Sequence, residues 1–142
     1  MTAKELQDYL TKNHENRFYL ELNIEAEMQY RERLISYDNP RVMNQYIKIV
    51  DEYIQKHRDE IDRLSAILVS WSELISKEDY RQIFLDRFLY GKKWSEIADR
   101  SHYSEKHLFN IKDKCLKEIA SKSVCEIPSN YDNLITLESI SN

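Results

Sequence analysis

Glycine occurs once in this chain, at Gly91, and proline twice, at Pro40 and Pro128. Antiparallel sheets depend on tight hairpins, and tight hairpins need residues that accept positive φ. A 142-residue chain with one glycine has almost nowhere to turn a strand, so the expected class is all-α. Charged residues make up 32% and are mixed along the sequence, as on helices with solvated faces. An apolar share of 42% is enough for a core, and ten tyrosines suit positions where a ring packs and its hydroxyl stays wet.

The organisation follows from periodicity. Residues 3 to about 36 read as one helix with a stripe of Leu6, Leu10, Leu20, Ile24 and Leu34. Asn13, Arg17 and Arg31 interrupt it, and "NHEN" (Asn13–Asn16) is a weak point where a bend or break is expected. "SYDNP" (Ser36–Pro40) is a turn whose proline opens the next helix. From Val42 to about Ser76, Met43, Ile47, Val50, Ile54, His57, Ile61, Leu64, Leu68, Trp71 and Ile75 recur in alternating steps of four and three. That spacing keeps one seam facing a partner helix, as in a coiled coil. The partner is helix 3–36 folded back, the same helix in a second subunit, or both. We expect both, in a homodimer whose helix-pairing seam includes Ile47, Val50, Ile54, Ile61, Leu64 and Leu68. His57 is the seam's polar break, either a tolerated position or a pH-sensitive pairing element.

The expected division is a helical hairpin or oligomerisation region over 1–76, a second region over 77–122, and a flexible tail over 123–142. Charge divides the same way. Residues 1–76 carry 10 basic against 14 acidic groups, residues 77–122 carry 11 against 8, and the tail carries three acidic groups and no basic one. The basic excess therefore lies on one segment of a chain whose net charge is −4, a balance that permits nucleic-acid binding there.

Within that segment, Ser76 and Asp79 have the spacing of an N-terminal cap for a helix through "YRQIFLDRFLY". Gly91 follows, where a left-handed residue ends a helix without strain. Ser95 is a second start signal, opening a two-turn helix with Ile97 and Ala98 inward. "SHY" (Ser101–Tyr103) is a tight turn, and Ser104 caps a third helix. Its buried stripe is Leu108, Ile111, Cys115 and Ile119. Helix, short helix, tight turn and long helix make a helix-turn-helix, a unit that places its last helix in a DNA major groove.

The run "YRQIFLDRFLYGKKWSEIADRSHYSEKHLFNIKDKCLKEI" (Tyr80–Ile119) resembles the promoter-reading C-terminal domain of sigma factors. More closely, it resembles small phage transcriptional regulators of the ArpU/RinA type, which share that motif. The resemblance implies a DNA-binding regulator; the N-terminus "MTAKELQDYL" lacks the apolar run of a signal peptide, so the expected location is the cytoplasm, of the host cell if phage-encoded.

Turning about 100° per residue from the buried stripe puts Lys106, Asn110, Asp113 and Lys117 on the far face, with His107, Phe109 and Lys114 flanking. Lys106, His107, Phe109 and Asn110 are the candidate base readers: lysine suits guanine O6/N7, asparagine suits adenine, and Phe109 suits a thymine methyl or, equally, internal packing. Lys92, Lys93, Ser95, Arg100, Ser104, Lys114 and Lys117 are the candidate phosphate contacts. Trp94 reads as a core residue closing the motif.

Other classes fare worse. There is no glycine-rich phosphate loop and no HExxH, so no catalytic residue, cofactor or metal is expected. Cys115 and Cys125 lack metal-ligand spacing. No apolar run approaches the roughly 18 residues of a membrane span, so no membrane partner is expected. The alternative keeps a helix-turn-helix core but binds a protein: an inhibitor or adaptor, for example a phage anti-CRISPR protein or an RNA-polymerase-binding or other host-protein partner. The acidic N-terminal half and Asp113 favour it.

Overall fold

The computed structural model describes residues 1–37, 39–123 and 127–128. It is all-α: α1 Ala3–Ile35, α2 Pro40–Ser72, α3 Glu78–Phe88, α4 Trp94–Ser101 and α5 Glu105–Lys122, with no strand among the described residues. Most of the tail lies outside the described residues, as does Asp38 of the expected turn. Among the described residues, no helix is long and apolar enough to cross a membrane.

Packing groups the described residues into two compact units. Of the described residues, one unit joins 1–15 to 64–123 and 127–128; the other is 16–37 and 39–63. The first therefore contains the start of α1 and the end of α2 along with α3, α4 and α5. Its core gathers Leu6 and Leu10 of α1, Leu68 and Trp71 of α2, Ile75 of the α2–α3 connection, Ile83 and Phe84 of α3, Ile97 of α4, and the stripe Leu108, Ile111, Cys115 and Ile119 of α5. All four residues of that stripe are at most 1% exposed. Each fully buried Leu or Ile contributes on the order of 1.5–3 kcal/mol, so this stripe fixes which side of α5 faces outward.

In the second unit, Leu34 of α1 packs with Val50 and Ile54 of α2, flanked by Ile24, Met43 and Ile47. The seam is thus covered from within the chain. Val50, Ile54, Leu64 and Leu68 are buried, and Ile47 and Ile61 are half-buried. His57 is wholly buried too.

Three local expectations are corrected. α1 does not break at "NHEN" but runs unbroken. Asn13 is buried, and its amide donates to the Leu64 carbonyl at 3.1 Å, so the polar residue that marked a weak point is satisfied by α2. Ser76 does not cap α3; the N-cap position is Lys77, with no side-chain cap. Instead, the Ser76 amide and hydroxyl both donate to the Glu118 carboxylate, at 3.0 and 2.6 Å, and a carboxylate is the stronger acceptor. Asp79, the other half of the expected cap, accepts from the Tyr103 hydroxyl at 2.8 Å.

Candidate nucleic-acid interface

The approach to α5 is set by two left-handed residues. Gly91 has φ +65°, just past the end of α3, and the Lys92 amide reaches back to the Asp86 carbonyl at 2.9 Å. The left-handed φ favours glycine here, and a Cβ at Gly91 would stand 3.3 Å from His14 Cε1, close enough that the exposed His14 ring would have to shift slightly. His102 also has φ 65°. It ends α4, so the tight turn begins at His102 rather than at Ser101. A non-glycine residue there carries a steric cost.

α4 starts two residues earlier than a cap at Ser95 would have it. Its N-cap is Lys93, without a side-chain cap, and Trp94 is its first residue, packed against the core. Ser95 sits in the first turn, exposed. Ser104 does cap α5: its hydroxyl accepts from the His107 amide at 3.1 Å. Tyr103 braces the same start, because its ring stacks on His107 at 4.9 Å and 5°. The bond to Asp79 pushes its phenol pKa up.

Lys106, His107, Asn110, Lys114 and Lys117 are all exposed on α5, and Lys93 and Arg100 are exposed on the approach to α4 and along it. Lys92 stands apart from this set. It is half-buried and bonds Asp86 at 3.2 Å, so a phosphate would compete with a carboxylate for it. Phe109 is 45% exposed, but its ring lies 5.2 Å from Trp94, with Lys112 Nζ 5.5 Å above it. Arg87 covers Trp94 at 4.8 Å. Phe109 therefore belongs to an aromatic–cation cluster at the edge of α5. These residues border a cavity of about 390 Å³ lined also by Leu10 and His14 of α1.

Asp113 lies on the exposed face, with its side chain 60% accessible, and Lys112 Nζ stands 3.6 Å from it. Cys115 faces inward, and burial raises its thiol pKa to about 12, so it is a packing group rather than a nucleophile. Sequence reasoning did not find the Ser76–Glu118–Lys122 cluster at the back of α5, where Lys122 also bonds Glu118 at 2.9 Å. The only local signal was the i,i+4 spacing of Glu118 and Lys122.

No protein-family model, curated protein or solved structure matches this chain.

Proposed function

We propose that this chain is a sequence-specific DNA-binding regulator of transcription, in which α3, α4 and α5 act as a helix-turn-helix and α5 enters the major groove. One observation carries the reading. Lys106, His107, Asn110, Lys114 and Lys117 are exposed together on a helix whose opposite stripe is buried, so a rigid, mostly basic face is presented to solvent. Lys106, His107 and Asn110 occupy the first two turns, which contact bases in such motifs. Lys93, Arg100, Lys114 and Lys117 form the rim that would set position and salt sensitivity. The likeness of Tyr80–Ile119 to ArpU/RinA-type phage regulators supports the same assignment.

The test is binding to duplexes from the protein's own genomic neighbourhood across a salt series. Affinity for one site should fall steeply with salt. Lys106→Ala should cost about 1–3 kcal/mol at that site and little on unrelated DNA. Lys117→Ala should weaken both alike and lower the salt slope by about one. Equal, shallow binding to every duplex would overturn the reading.

A second reading is favoured by Asp113, an acid exposed in the middle of this face. On that reading the face docks a host protein, and the chain is an inhibitor or adaptor. It predicts negligible DNA affinity and a complex that Asp113→Lys disrupts.

A further inference from the structure

The unit formed by residues 16–63 leaves an unusual amount of apolar surface in water. On α2, Val42, Tyr46 and Ile49 are 45%, 50% and 43% exposed, and Tyr53 is half-buried. Their spacing is four, three and four, so they form a second stripe about a quarter turn away from the buried seam. Tyr30 and Tyr37 join it beside Tyr46, where they line one cavity of about 260 Å³ with Leu34 and Met43. They are 37% and 62% exposed. The stripe ends where its next positions become Lys56, Glu60 and Arg63.

We infer that this stripe is a homodimer interface, covered by the same stripe of a second copy running antiparallel. Three arguments select that occupant. The first is shape. A twofold axis beside the peptide between Ile47 and Lys48 sets Val42 against Tyr53 of the second copy, and Tyr46 against its Ile49. Each layer then pairs one ring with one β-branched side chain, twice over by symmetry. A parallel pairing would stack Tyr46 on Tyr46 and Val42 on Val42, alternately crowded and empty. The self-complementarity is that of an isologous contact.

The second argument is charge. The same register brings exposed Arg41 of each copy near exposed Glu52 of the other along one rim, an attraction on either side of the two exposed Lys48 side chains that meet at the axis. The third is area. With about 150–250 Å² per aromatic side chain, the exposed parts of these side chains amount to roughly 500 Å² per copy. Two copies remove roughly 1,000 Å² before any polar rim is counted, which reaches the floor of about 1,000 Å² for a biological interface. The tyrosine hydroxyls lie at the edges of such layers and stay hydrated.

The inference does not depend on DNA binding, and its test uses none. Sedimentation equilibrium of the full chain at micromolar concentration should give a dimer. Ile49→Asp should weaken it at least tenfold with helical content unchanged, because Ile49 faces solvent within one copy. Tyr46→Cys/Ile49→Cys in a Cys125→Ser background should oxidise to a covalent dimer, and peptide mapping should show 46–49 links. Three results would overturn the inference: a monomeric full chain, an Ile49→Asp variant that dimerises as tightly as the parent, or links joining 46 to 46. A monomer that dimerises only after residues 129–142 are deleted also overturns it, by assigning the stripe to the chain's own end.

Discussion

His57 Nδ1 lies 2.8 Å from Glu27 Oε1, and both side chains are sealed from solvent, 0% and 2% exposed. Burial disfavours the charged carboxylate and raises the Glu27 pKa to about 7, against an ordinary 4.5. The folded chain then holds a proton on Glu27 where the unfolded chain has released it. The stabilisation this gives is complete below about pH 4.5 and is lost as pH rises through about 7, at no more than about 1.4 kcal/mol per pH unit. Glu27→Gln keeps the shape and needs no proton. Urea unfolding from pH 4.5 to 8 should therefore show the parent losing ground to Glu27→Gln as pH rises. At pH 5, His57→Leu leaves the neutral Glu27 carboxyl without its partner and should cost about 1–3 kcal/mol, and Glu27→Leu/His57→Leu should recover most of it. Parallel pH profiles for parent and Glu27→Gln would count against the raised carboxyl.

Glu118 titrates with the opposite sign. It accepts from the Ser76 hydroxyl, Lys122 and the Ser76 amide, and these bonds lower its pKa to about 2. A depressed folded pKa stabilises above the unfolded value, about 4.5, and that stabilisation is lost as pH falls through about 2. Glu118→Gln should flatten the acid limb of the stability profile and leave the region above pH 5 parallel to the parent. Ser76→Ala should do so in part. An acid limb unchanged in both variants would mean that the cluster does not hold in solution.

The two left-handed residues make opposite predictions. His102 carries φ 65° with a side chain, at a steric cost of roughly 1–2 kcal/mol that glycine would not bear. Glycine's greater freedom in the unfolded chain offsets part of this. His102→Gly should therefore stabilise by about 0.5–1 kcal/mol. Gly91→Ala meets both the φ of +65° and the His14 ring 3.3 Å away, so it should destabilise by at least about 1 kcal/mol. Thermal unfolding of the two variants checks the pair. A destabilised His102→Gly would show that the His102 side chain contributes more than its backbone costs.

What the sequence made legible is local. The Leu108–Ile111–Cys115–Ile119 stripe and the seam through Val50, Ile54, Leu64 and Leu68 could be read because their spacing is a property of one helix. Gly91 could be read because few conformations call for glycine. What escaped depends on register between distant segments. Glu27 looks like a solvated acid until α1 folds on α2 and sets it against His57, 30 positions away. Ser76 looks like a cap until Glu118, 42 positions on, takes both its donors. Ser95 looked like a cap by residue type, but α4 begins at Trp94, which packs into the core. The interface face was readable as a list of residues, but not the division within it: Lys92 bonded to Asp86 and Phe109 beside Trp94, against Lys106 and Asn110 left open.

Asp113 offers the sharpest test between a DNA-facing and a protein-facing α5. Its carboxylate is exposed among lysines, and the nearest cation, Lys112 Nζ, stands 3.6 Å away, too loosely held to cancel it at an exposed site. If phosphates approach this face, the acid repels them through water, at roughly 0.5 kcal/mol for each charge about 8 Å away. With two or three phosphates in range, Asp113→Asn should tighten duplex binding about three- to tenfold at low salt. The gain should shrink toward nothing near 0.5 M salt, where charges separated by more than about 5 Å are screened. Folding stability should barely change, because the residue is solvated. Titrating parent and Asp113→Asn against one duplex at two salt concentrations decides the matter. Equal affinities at low salt would mean that α5 does not point this face at DNA, and a host-protein complex abolished by the same substitution would assign the face to that partner.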